Sequence, residues 1–227
     1  LAAYYASKMG LPVNRFICAS NENNVLTDFI NTGVYDRNRD FHCTISPSMD
    51  ILISSNLERL LHHASGGNAE ETAAYMKALS ETGRYEVSDS IKAFLKANFS
   101  AGFADDAKTK ETIRRVFEED GYIMDTHTAV AKAVYDKYKE ETGDETKTII
   151  ASTASPFKFS GSVMEALDGD DSEVFGTDEF TILSELSERT GLEIPESLAK
   201  LKDETVLFDV TCEKDDMEQV GKDFLRM

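Results

Sequence analysis

The chain has 227 residues, 41% of them hydrophobic, and a formal net charge of −18. That is enough apolar material for one large or two small globular domains, and too much for wholesale disorder. No basic face offsets the charge, which argues against nucleic-acid binding, and no apolar run approaches the length of a membrane span.

The opening LAAYYASKMGLP is apolar and helically periodic from its first residue, and it stops at Gly10 with Pro12 beyond. It has neither an initiating Met nor a capping residue before Leu1, so it is expected to belong to a longer polypeptide. VNRFICASN predicts a buried strand over 14–19, followed by a short helix over NVLTDFINTG with Gly33 as its C-cap. Ser48 is expected to cap a helix through MDILISSNLERLLHHA, interrupted by the polar step at Ser54, Ser55 and Asn56. Residues 68–100 read as helical, punctuated by Gly83. Two amphipathic helices come next, one from Asp105 to Gly121 and one begun at Asp125 or Thr126 and ended at Gly143.

Thr148 to Ser152 then predicts a strand that breaks into Thr153, Ala154, Ser155 and Pro156. Helices ending at Gly191 and around Glu196, and a last strand over 205–210, complete the reading. The fold class is α/β, helix-rich, with too few strands for a complete sheet. The acidic stretches 168–179 and 213–216 are expected to be solvated surface, and Phe94, Phe99, Phe103 and Phe117 core or domain interface.

Cys18, Cys43 and Cys212 are sparse and odd in number. This suits a reducing, cytoplasmic setting and excludes a disulfide scaffold. His62 and His63 point roughly 100° apart on a helix, and no metal-ligand spacing is present, so no metal site is expected.

Three stretches carry a resemblance: ICASNENNVLTDFINTGVYDRNRDFHCTISPSMDILISSNLERLL, YIMDTHTAVAKAVYDKY and ASTASPFKF. Each is similar to the corresponding part of threonine synthase, in the order in which that family has them. The resemblance implies the C-terminal part of a fold-type-II pyridoxal-phosphate enzyme related to the tryptophan synthase β subunit. Residues 1–160 would be part of the large cofactor domain, with a helical insertion at about 66–120, and 161–227 a C-terminal helical segment with a late strand.

The implied reaction converts O-phospho-L-homoserine and water to L-threonine and phosphate, with pyridoxal phosphate as electron sink. The family's Schiff-base lysine and Gly-Asn-Phe-Gly phosphate loop precede the matching region. The chain alone is therefore expected to hold no catalytic residue and to be inactive, and to expose a surface through which it self-associates.

Within the matched stretches, the resemblance places Thr153 beside the pyridine nitrogen, with Ser152 and Ser155 as competitors. A hydroxyl donates to a neutral ring nitrogen without holding it protonated. The expected cleft-lining residues are Asn21, Asn23, Asp125, His127 and Arg59. Each also has a structural reading: Asx turns for the asparagines, helix capping for Asp125 and His127, an ion pair for Arg59. Thr126 stands where the family usually has proline, and Lys158 is expected to be structural. Another fold-type-II lyase and an acidic helical interaction module are the competing functional readings.

Overall fold

Two short pairs of strands organise the first of two compact units, Leu1–Leu192. The computed structural model describes residues 1–169, 177–207 and 209–226. After helix α1 (Ala2–Lys8) the apolar run predicted as a strand forms β1 (Phe16–Ser20). β1 pairs in parallel with β4 (Phe99–Phe103), with Phe16 opposite Phe99 and Ser20 opposite Phe103. Between them come α2 (Val25–Thr32), β2 (Val34–Asp36), α3 (Leu57–Ala64), α4 (Ala69–Thr82), β3 (Arg84–Glu86) and α5 (Asp89–Asn98). Gly33 and Gly83, both left-handed, end α2 and α4 and turn the chain straight into β2 and β3. These two strands pair antiparallel with Tyr35 opposite Tyr85.

β4 ends the region expected to be helical throughout. Phe-Ser-Ala-Gly-Phe has little helix preference, and pairing with β1 decides its conformation. Segment 66–120 thus supplies one strand to each pair. Gly102 is tightly packed: a Cβ there would stand 3.0 Å from Val134 Cγ1 of α7 (Thr126–Thr142), close enough to press that side chain aside. That absence of a side chain brings the helix close to the strand.

An aromatic and aliphatic core joins Tyr4, Phe29, Tyr35, Leu61, Tyr85, Ile91 and Leu95. Of the phenylalanines expected in a core or domain interface, Phe94 and Phe99 pack against this cluster, whereas Phe103 is exposed. α6 (Asp106–Asp120), α8 (Ser160–Asp168) and α9 (Glu179–Thr190) continue the unit, with Ile113, Val163 and Leu186 fully buried. Asp105 caps α6, and α9 ends at Gly191 as the sequence predicts.

Three further expectations are corrected. Residues 148–152 are not a strand, and Ile149 is 85% exposed. Two isoleucines suffice for a strand only when an edge is available to pair them. The helix expected from Ser48 is instead a 3-10 turn at Pro47–Met49, and α3 begins only after Asn56, so the polar step is the end of a loop. The strand expected over 205–210 is not formed at residues 205–207 or 209–210; Phe208 lies outside the described residues. Most of the acidic stretch 168–179 also lies outside them.

The second unit, Glu193–Met227, contains α10 (Glu196–Ala199), two 3-10 turns and α11 (Met217–Leu225). Its Val206, Leu207, Val210, Met217 and Leu225 are exposed.

Candidate functional site

The C-terminal end of β1 is where buried polar side chains concentrate. Thr27 of α2 donates to the Gly102 carbonyl at 2.8 Å and can accept from Ser20 Oγ at 3.0 Å, and the Ala104 N–H reaches the Ser20 carbonyl at 3.1 Å. These bonds fix both strand ends together. Just beyond, Asn21 and Asn23 are 1% and 2% exposed.

Both amides are fully engaged within the protein. Asn21 Oδ1 accepts from the Asn23 N–H at 3.0 Å, an Asx turn that aims Asn23 back at the loop Phe41–Asp50. Asn21 Nδ2 reaches Asp50 Oδ1 at 2.7 Å and Thr44 Oγ1 at 2.8 Å, with Ser46 Oγ at 3.0 Å. Asn23 donates to the His42 carbonyl at 2.8 Å and accepts from the His42 N–H at 3.0 Å. Asp50 is the hub: its two oxygens accept from Asn21, Asn23, the Thr44 hydroxyl and the Thr44 N–H. Donors on every side keep a half-buried carboxylate satisfied.

The same loop meets the start of α7. Asp125 is 0% exposed and caps the helix, accepting from the N–H groups of His127 and Thr128 and from the Thr128 hydroxyl. Its carboxylate already sits at the positive end of the helix, where its charge opposes a second anion. His127 is 8% exposed, with Nδ1 3.1 Å from Asp125 Oδ1 and Nε2 3.1 Å from the Ser48 nitrogen. Its ring lies against Phe159, centroids 4.7 Å apart. Asp106, at the start of α6, accepts from the Ile45 N–H at 3.2 Å. Three elements thus hold one loop through polar contacts.

The segment after α7 joins through one contact. Ser152 Oγ lies 3.2 Å from Thr128 Oγ1, whose own proton goes to Asp125, so Ser152 is the donor, and the contact tethers 152 beside the cap of α7. The next side chain, Thr153, is exposed, and its hydroxyl has no hydrogen-bond partner among the described residues. Ser155 Oγ accepts from the Phe157 N–H at 3.3 Å and starts the 3-10 turn Pro156–Phe159. Lys158 lies 5.4 Å from the centroid of the Phe159 ring.

The structure therefore gathers Asn21, Asn23, Asp125, His127 and Ser152 around one loop. Arg59 is elsewhere: exposed on α3, which packs against α4 and α5, with no ion pair among the described residues. Asp50, Thr44, Ser46 and Ser48 carry the network, and of these the sequence reading singles out only Ser48, as a helix cap. A signal is present in Thr-x-Ser-Pro-Ser-Met-Asp, a turn sequence closing on a carboxylate, but the same residues also read as a helix start. None of the side chains bonded in this network is Lys or Arg. Cys18 is half-buried mid-strand in β1, where burial pushes its thiol up to about 11 and so lowers its reactivity. Among the described residues no cluster of metal-ligating groups occurs, and no helix is long and apolar enough to cross a membrane.

Residues 128–220 match the family described as threonine synthase, C-terminal. The human protein named threonine synthase-like 1 is 42% identical over 168 residues, which are 74% of this chain and 22% of that protein. The crystal structure of yeast threonine synthase superposes with a TM-score of 0.80 at 30% identity, covering 100% of this chain and 45% of the yeast chain. Threonine synthase from Brucella melitensis, solved with pyridoxal phosphate bound, gives 0.79 at 30% identity, covering 99% and 42%. The chain thus spans less than half the length of each of these proteins. Its fold is the helix-rich C-terminal portion of a fold-type-II pyridoxal-phosphate enzyme, with a small, incomplete sheet.

Proposed function

We propose, from the premise that this chain corresponds to the C-terminal part of a threonine synthase, that it contributes one wall of a pyridoxal-phosphate site. The reaction assigned to the whole protein is conversion of O-phospho-L-homoserine and water to L-threonine and phosphate. The observation that carries this reading is the exposed, unbonded hydroxyl of Thr153, tethered through Ser152 to the buried cap of α7.

The residues present fit the cofactor in one respect. An uncharged hydroxyl suits a neutral pyridine nitrogen, and Thr153 has its proton free to donate. Ser152 gives its proton to Thr128 and Ser155 is half-buried where it starts the turn, whereas Thr153 is exposed and unbonded, so Thr153 is the best placed of the three. The phosphate does not fit here: α7 is capped by Asp125, and the network holds no cation. Other groups must hold it.

When bound, the cofactor supplies the electron sink for carbanion chemistry at the amino acid. The chain's own residues donate to the ring through Thr153 and hold the wall rigid through Asn21, Asn23, Asp125 and His127. This chain alone is assigned no turnover, a cytoplasmic setting, and a tendency to self-associate through its open strand edges.

A second reading has one observation behind it: the human relative, at 42% identity, is named threonine synthase-like. A lyase that releases phosphate from O-phospho-L-homoserine without forming threonine keeps the same wall. The test is product analysis on a full-length protein containing this chain, with and without Thr153→Val. Threonine formation supports the first reading, and phosphate release alone the second. Unaltered cofactor affinity and turnover in Thr153→Val would overturn the role of Thr153.

A further inference from the structure

We propose that His127 is a positioning residue, held as one specific neutral tautomer, that sets the loop Phe41–Asp50 and through it the amides of Asn21 and Asn23. The inference takes the importance of this wall from the function assigned above, but its geometry stands without any ligand.

Nε2 of His127 faces a partner of fixed polarity, and Nδ1 faces a carboxylate together with the Thr126 hydroxyl, 3.3 Å away, which can adapt to either role. Ser48 presents a backbone N–H, which can only donate, at 3.1 Å from Nε2. Nε2 must therefore carry the lone pair. Asp125 presents a carboxylate oxygen 3.1 Å from Nδ1, so the ring proton belongs there. The ring is nine-tenths buried against Phe159 and has little freedom to turn.

The contact at Ser48 matters because of the residues on either side of it. Ser48 lies in the 3-10 turn Pro47–Met49, between Ser46 and Asp50. Both of these grip Asn21, and Asp50 also grips Asn23. The loop is tied from its other side by Asp106 to the Ile45 N–H. With His127 removed, the Ser48 N–H loses its acceptor and the turn loses its anchor to α7. The hydrogen bonds of the asparagines then depend on a loop fixed at one side.

Two amide variants separate this from a general structural role. A glutamine side chain places its carbonyl oxygen near the position of Nε2 and can accept from Ser48. An asparagine reaches only the position of Nδ1, keeping a donor for Asp125 and leaving Ser48 unpaired. In His127→Asn, amide hydrogen exchange at Ser48 and at Asn23 is expected to quicken about tenfold, the factor that matches one lost hydrogen bond. The Gly33 N–H, bonded to Phe29 in the core, should be unchanged. His127→Gln should exchange like the parent at all three.

Equal behaviour of the two variants, or a protected Ser48 in His127→Asn, would overturn the proposal. Should either variant fail to fold, nitrogen NMR of the imidazole in the parent chain decides. A proton on Nδ1 supports the assignment, and a proton on Nε2 ends it. None of these measurements involves cofactor or substrate, so their failure would leave the assigned reaction standing, and the reverse also holds.

Discussion

Tyr35 and Tyr85 stack across the β2–β3 pair with ring centroids 5.3 Å apart and planes 4° from parallel. Tyr75 stacks on the other side of Tyr85 at 5.4 Å. The outer hydroxyls are both satisfied: Tyr35 donates to the Leu52 carbonyl, and Tyr75 to Glu71. The middle one is buried with no partner among the described residues, and burial drives its ionisation far above the ordinary phenol range. Tyr85→Phe should therefore stabilise the first unit by about 1–2 kcal/mol, since it removes a desolvated hydroxyl and keeps the stack. Thermal unfolding of the two proteins checks this; a lower melting temperature in the variant would mean that the hydroxyl has an unseen partner.

Asp125→Ala should be among the most damaging single changes. It leaves two backbone N–H groups, the Thr128 hydroxyl and the His127 ring N–H without their acceptor in a buried setting. Losing a cap together with buried partners costs about 3 kcal/mol. Urea denaturation measures it, and a loss below about 1 kcal/mol, the value of an exposed cap alone, would contradict the burial argument.

Acid should weaken the β3–α5 region. The Lys92 ammonium bonded to Glu86 holds that carboxyl below its ordinary value of 4.5, and hydrogen bonds from Tyr75 and Ser88 do the same for Glu71. A lowered folded-state value means the unfolded chain takes up protons first. These contributions are present above pH 4.5 and are lost as pH falls through the lowered values. Glu86 is exposed and Glu71 only half-buried, so the effect is small and screened by salt. Glu86→Gln should flatten the fall of the urea midpoint across this window; an equally steep fall in the variant would assign it to other groups.

Thiol labelling should divide the cysteines two to one. Cys43 and Cys212 are exposed, whereas Cys18 sits in β1 with its thiol raised to about 11. Mass spectrometry after brief alkylation of the native protein at mildly alkaline pH should show two adducts, and a third only after denaturation. Rapid labelling of Cys18 would show that β1 opens readily.

What the sequence discloses depends on how local the cause is. The helix ending at Gly191, the cap at Asp125 and β1 arise from side chains within a few positions, and all are readable. β4 is not, because its conformation comes from pairing with residues more than 80 positions earlier. The asparagines stand out as polar residues after a strand, but their partners do not. Asp50 reaches Asn21 across 29 positions, and Ser48 reaches His127 across 79. The run Thr148–Ser152 fails in the opposite sense: its composition asks for a strand, and the strand does not form.

Among the described residues, β1 and β4 are each paired along one side only. A bare strand edge invites another chain, and here the deterrent is diffuse rather than local: a net charge of −18 spread over the surface. That repulsion reaches about 10 Å at 0.1 M salt and only about 3 Å at 1 M. Colloidal stability of this polypeptide should therefore decline as electrolyte is added, opposite to the behaviour of proteins that clump through attraction between unlike charges.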